Sequence, residues 1–231
     1  MFHLIKLEIR KFTLHQYIKK VVIADVIILL LLCFIQFADR SDGTVTFVNY
    51  DMAFSSITKM TRATFMIFAA VLLAKLIIDE YKTKTIALMF MYPIKRKKLM
   101  IAKLLIVGSF TFVTIFLSSV LIGLGFYVVD YFFHLVPTKL TNEIIVTNLV
   151  HTCTNALLSA CISLLPLYFG MRKKSVPTII IVAVVIVLFL SSSINNFVVD
   201  SIASIRISLA VIGIFTAYLS IRNVEKADVT E

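Results

Sequence analysis

Residues 104–129 read LLIVGSFTFVTIFLSSVLIGLGFYVV, a run without acid or base between Lys103 and Asp130. As a helix it would rise about 39 Å, more than the ~30 Å hydrocarbon core of a bilayer. Residues 144–171 form a second run with no acid or base. Outward from these two, the segments at about 20–38, 59–79, 176–195 and 203–221 supply four more apolar stretches. With 100–130 and 145–170 they make six spans. Across all 231 residues, 60% are hydrophobic and only 16% charged, with 19 Phe and no Trp. A single soluble core of this length could not hide that much apolar surface. A disordered chain needs the opposite composition. The expected fold is an all-α polytopic membrane protein with six transmembrane helices.

The third and fourth runs exceed the bilayer, so they must tilt or extend past it. The second carries Arg62 and Lys75, which can snorkel to opposite interfaces of a ~30 Å helix. The formal charge is +10, and its distribution sets orientation. Eighteen of the 23 basic residues fall on the side holding both termini, the 79–103 segment and Arg172 to Lys174; Arg40, Lys59, Arg62, Lys139 and Arg206 fall on the other. By the positive-inside rule both termini are cytoplasmic. The basic clusters suit anionic membrane lipid. Nucleic acid is not expected, since no basic patch is interleaved with stacking aromatics.

The expected organisation is an interfacial helix at 1–19, a six-helix membrane domain at 20–221 and a cytoplasmic tail at 222–231. In the first element His3, Lys6, Arg10, Thr13, Tyr17 and Lys20 share one helical face beside apolar Phe2, Ile5, Ile9 and Phe12. Such a helix lies in the membrane interface, as an elbow for a cytoplasmic partner or as a plain anchor. The start of the chain reads as no cleavable signal. In the outer loop, Asp42-Gly43 and the β-formers from Thr44 to Tyr50 suggest a short hairpin.

Chemistry is sparse. None of the six glycines precedes a lysine, so no phosphate-cradling Walker loop exists, and neither H-E-x-x-H nor G-x-S-x-G occurs. Cys33, Cys153 and Cys161 lack metal-ligand spacing and a disulfide pattern. Asp25 lies near the inner interface and could pair with a basic neighbour. Asp130 and His134 sit at the outer end of the third span. His151 suits a hydrogen-bonded packing role in the fourth. No catalytic, cofactor or metal site is expected. The fourth span carries one polar stripe: Asn148, Thr152, Asn155, Ser159 and Ser163 recur at steps of 4, 3, 4 and 4, and Pro166 ends it in a kink. That face can line a substrate path or cement helices together.

Between the second and third spans lies Asp79 to Lys103, DEYKTKTIALMFMYPIKRKKLMIAK. Ile86, Met89, Phe90 and Pro93 share an apolar face, and a basic run from Lys95 to Lys98 follows. Such a helix can enter a groove on a partner or rest on the lipid surface. Glu80, Tyr81, Thr85, Pro93, Ile94, Arg96 and Lys103 follow an E-Y-x-x-x-T, Pro, I-x-R, Lys pattern that resembles permeases of the type-2 ABC export family. The six spans with both ends inside agree with that resemblance. Lys84 stands where the family often has Gly, and the segment from Asn195 to Ile202 is short for a long re-entrant helix.

The resemblance implies a coupling helix seated in a cleft of a separate nucleotide-binding ATPase. Glu80, Thr85, Ile86, Met89, Phe90, Pro93 and Arg96 would contact that ATPase or hold the helix's geometry. ATP and Mg would be bound by the ATPase, not by this chain. A second copy or a sister permease would complete the path across a bacterial plasma membrane. Size and Lys-rich loops resemble small Gram-positive peptide-export and self-protection permeases, such as the bacitracin-resistance type and phenol-soluble modulin exporters. That implies amphipathic or antimicrobial peptides as cargo. Two other readings remain open: a non-translocating scaffold or sensor subunit, and an ion-coupled secondary carrier.

Overall fold

The computed structural model describes residues 14–41, 47, 49–78, 96–133, 141–173, 175–194, 197–198 and 203–224. Among these the helices are α1 (Leu14–Ser41), α2 (Tyr50–Leu73) with a π-helical end (Ala74–Ile78), α3 (Arg96–Phe133), α4 (Asn142–Ile162), α5 (Pro166–Lys173), α6 (Val176–Ser191) and α7 (Ala203–Val224). Five helical stretches are long and apolar enough to cross a membrane: Tyr17–Ala38, Tyr50–Ile78, Lys97–Phe133, Asn142–Lys173 and Ala203–Arg222. The expected fifth span, α6, has 16 residues. It rises about 24 Å, short of the full hydrocarbon core.

Several expectations change in detail. The second helix begins at Tyr50, not near 59, because Asp51, Lys59 and Arg62 depress its apparent hydropathy without breaking the helix. Tyr50 therefore cannot end the expected hairpin, and described residues 47 and 49 are not in a strand. The described strands are instead two-residue pieces, β1 (Ser193–Ile194) and β2 (Phe197–Val198), paired antiparallel. Residues 1–13 of the expected interfacial element lie outside the described residues, and Leu14 to Lys20 run unbroken into α1.

The kink expected at Pro166 is a full break. The chain leaves the helix at Ser163, and Pro166 opens α5, where its missing N–H is harmless. A proline in the first turn also starts α6 after an extended Ser175.

By contacts the chain divides into two units. One comprises residues 14–64 and 113–157. Its core joins Ile28, Leu32, Ala53, Ile57, Ile122 and Phe126. Phe47 meets Phe126 edge-on at 6.0 Å, and Gly125 lets α3 approach Leu29 where a Cβ would collide with that side chain. From Val22 to Phe37 every exposed position of α1 is apolar, with Ile23, Leu30 and Phe34 exposed by 58%, 60% and 71%. Water would not tolerate that stripe on a stable monomer, but lipid does.

The other unit comprises, among the described residues, those from 65 to 112 and from 158 to 224. Its core joins Met66, Ile162, Leu165, Ile186, Leu190 and Ala210. α5 packs on α6, on α7 and on the π-helical end of α2. Two glycines permit these approaches: Gly170 against Ile179, and Gly213 against the Cys161 carbonyl. The second obstacle is backbone and cannot rotate away. Gly213→Ala is therefore expected to cost about 1–3 kcal/mol by overpacking. Heating the detergent-solubilised protein and scoring the soluble monodisperse fraction should show a lower midpoint.

Candidate functional site

A half-open cavity of about 360 Å³ lies within the first unit, bounded by α2, α3 and α4. Its polar lining comes from Ser119, Tyr127, Asn142, Asn148 and Thr152, opposite the ring of Phe54. Gly123 opens the wall, since a Cβ there would stand 3.0 Å from Phe54 Cε1. Leu124, Tyr127, Ile145 and Leu149 form a rim exposed by 41–59%. No charged side chain is among the described lining residues.

The fourth-span stripe divides on inspection. Asn148 and Thr152 line the cavity. Asn148 uses its amide hydrogens on Asp51 Oδ1 and on the Ile144 carbonyl, both at 2.9 Å. Asn155 is half-buried and has polar or electrostatic contacts of its own. Ser159 and Ser163, both 2% exposed, belong to the second unit.

Ser163 Oγ donates to the Ala160 carbonyl at 2.8 Å, while the Leu164 N–H turns to Cys161 instead. This hydroxyl closes the end of α4, where the break removes the regular donor. Ser163→Ala is expected to destabilise the protein by about 1–3 kcal/mol, the cost of a buried acceptor left unmade. Ser163→Thr, which keeps the hydroxyl, should recover most of the loss in a thermal-shift comparison.

Polar pairs also hold the first unit together. The Tyr50 hydroxyl donates to Asp130 Oδ2 in a buried contact. Among the described residues Asp25 is met not by the expected basic neighbour but by Ser118, whose Oγ donates to its Oδ2 at 3.0 Å. His151 is exposed, so its expected packing role is not met. His134 lies outside the described residues. Ser118, Thr114 and Thr111 were legible in principle, because they recur at steps of four and three along the third span and all are buried.

The second unit carries a different feature. Lys103 is 2% exposed, and its ammonium donates to the Leu76 carbonyl at 2.8 Å. Leu76 lies in the π-helical stretch Ala74–Ile78 at the end of α2, where a cation is favoured by the helix dipole. Lys103 thus bridges from the first turns of α3 to the end of α2, across the segment 79–95. Neither Lys103 nor Arg62, which is 5% exposed, is a freely snorkelling loop charge. Removing both from the tally leaves the charge asymmetry intact. Glu80, Thr85, Ile86, Met89, Phe90 and Pro93 lie outside the described residues, and Arg96 opens α3.

The family profile described as "ABC-2 family transporter protein" matches residues 4–190. The chain belongs to the ABC-2 transporter family. It is thus a multi-pass membrane permease subunit of an ABC transporter, and membership implies an ATPase partner subunit. A Bacillus subtilis (strain 168) protein printed as "Uncharacterized protein YcbO" is 46% identical over 226 residues, covering 98% of this chain and 99% of that relative. No solved structure matches the chain. In this ABC-2 permease the 79–103 segment is the place where sequence pattern and the Lys103 bridge coincide.

Proposed function

We propose that the permease is the six-span membrane subunit of an exporter, and that segment 79–95 couples it to a cytoplasmic ATPase. The single observation behind this reading is the Lys103–Leu76 bridge. It clamps together the two helix ends that bracket the segment, so a push on the segment would move α2 and α3 as one piece. A floppy loop would absorb the same push.

In this reading α6 crosses the membrane as the fifth of six spans and both termini lie in the cytoplasm of a bacterial cell, as the positive-inside asymmetry supports. The ATPase binds ATP and Mg, and this chain neither binds nor hydrolyses nucleotide. Glu80, Thr85, Ile86, Met89, Phe90, Pro93 and Arg96 form or shape the contact. Two permeases, identical or sister, share the path in membrane lipid. ATP-driven closure of the ATPases shifts them only if the contact differs in strength between their two states. The cargo is apolar or amphipathic, an antimicrobial-type peptide being the case that the resemblance to small Gram-positive exporters suggests.

Reconstituting the chain in lipid nanodiscs with and without its co-purifying ATPase tests the division of labour. Hydrolysis should appear only when the ATPase is present and should change when the permease is added. Hydrolysis by the permease alone, or an ATPase indifferent to it, overturns the reading.

A further inference from the structure

Most hydroxyls along these helices follow a rule that Thr61 and Ser119 break, and of these two it is Ser119 that lines the cavity. Thr58, Thr64, Ser109, Thr111, Thr216 and Ser220 each donate to a carbonyl three or four residues back in their own helix, at 2.7–3.1 Å. That is the ordinary way for a hydroxyl to satisfy itself where water is absent. Ser119 is 5% exposed, yet its Oγ has no hydrogen-bond partner among the described residues. It lines the cavity of the first unit, as does Thr152, which is 9% exposed. An unmade hydrogen bond at a buried group is costly, and this residue borders an open volume.

The chemistry of an occupant follows from the rest of the lining. Phe54, Val120, Ile145 and Leu149 supply apolar walls. Among the described lining residues none is charged, and the neighbouring Asp51 carboxylate already accepts from Asn148, so an ionised group would enter without a lining counter-charge, which is strongly disfavoured. Asn148 has its amide hydrogens engaged, which leaves its carbonyl oxygen as an acceptor. The exposed rim of Leu124, Tyr127, Ile145 and Leu149 is mainly apolar, which suits a mouth that meets lipid, with Asn142 an exposed polar residue beside it. The volume, about 360 Å³, falls at the small end of ligand clefts.

We propose that this cavity binds a neutral, lipid-soluble molecule: an apolar limb inserted from the bilayer, with one uncharged hydroxyl, amide or ester group hydrogen-bonded to Ser119 and Thr152. This deepens the exporter reading by naming a chemical class for a site within the permease, and it rests on that reading only for the molecule's fate. A resident neutral lipid and a transported cargo share this chemistry.

The test uses the full chain in phosphatidylcholine nanodiscs and a long-chain fatty alcohol bearing a diazirine on its chain. The matching fatty acid and the matching quaternary ammonium serve as charged comparisons. Photolabelled residues are mapped by mass spectrometry. The alcohol should label the segments 119–127 and 145–152 and be displaced by unlabelled alcohol, with the two charged probes labelling them at least about fivefold less. Ser119→Ala should reduce the label about fivefold, as expected for one lost hydrogen bond, and Leu149→Trp, which narrows the mouth, should abolish it. Labelling on exposed Leu30 and Phe34 of α1 should not change in either variant and reports ordinary contact with bulk lipid. Equal labelling by all three probes, or labels unchanged in both variants, would overturn the site.

Repeating the labelling on the permease–ATPase complex locked with a non-hydrolysable ATP analogue distinguishes the sources. A label lost on locking marks a transported molecule, and a label retained marks a resident lipid; both presuppose the site. Failure of the ATPase to associate would count against the exporter reading and leave the labelling result standing.

Discussion

In a chain carrying Met89→Glu together with Phe90→Glu, affinity for the ATPase should fall by about a hundredfold or more while the protein remains inserted. The expectation follows from the chemistry of helix-in-groove contacts. Large apolar anchors at the centre of such an interface each contribute about 2 kcal/mol or more, and two of them multiply in the binding constant. A carboxylate placed there adds the cost of burying an unpaired charge. Neither position lies in a predicted span, so membrane insertion should be spared. Binding of the purified ATPase to nanodiscs carrying wild-type or variant permease measures the effect directly. Undiminished binding at equal permease density would remove the coupling role from these residues and assign that apolar face to the lipid surface.

The second large effect is expected at Lys103. Lys103→Met keeps much of the side chain's length and apolar stem but deletes the donor to Leu76. That buried residue's carbonyl then loses a charge-assisted donor, at a cost of about 2–3 kcal/mol. The midpoint of thermal unfolding should drop by several degrees. The bridge also makes a functional prediction that a purely structural contact would not. With the clamp gone, the ATPase should still bind, because segment 79–95 keeps its own residues, but its hydrolysis should no longer respond to the permease. Lys103→Arg, which retains a donor, should preserve more of that response. Normal stability and a normal response in Lys103→Met would show that the bridge carries neither load.

Much of the architecture was legible from residues alone. The acid- and base-free run from Leu104 to Val129 announced a helix longer than a bilayer, and α3 extends still further, from Arg96 to Phe133. Pro166 signalled the end of α4. The start of α2 was obscured because hydropathy averages charge without regard to direction. Arg62 lies inside the fold, so its charge lowers the score of a helix that nonetheless continues. The end of the expected hairpin was misplaced for a related reason: β-propensity competes with tertiary context, and Tyr50 belongs to a helix and bonds to Asp130, 80 residues away.

The candidate sites were legible only in part. Periodicity placed Asn148 and Thr152 on one face and the structure brings both to the cavity, but the facing residue Ser119 sat in a span passed over for lacking charge. What distinguishes Ser119 from its neighbours is a missing hydrogen bond, and sequence does not record that. Lys103 was legible as part of a pattern and as a basic residue near a loop. Its contact with Leu76 depends on how two helix ends meet, which no local spacing specifies.

The most direct test is recovery of the tagged permease from its native membrane in mild detergent, with quantitative mass spectrometry of the proteins that accompany it. An ATP-binding-cassette ATPase recovered in near-stoichiometric amount, and depleted in the Met89→Glu/Phe90→Glu chain, is the predicted result. A stable, abundant permease accompanied by no ATPase, or by one held equally well in the double variant, would contradict coupling through segment 79–95.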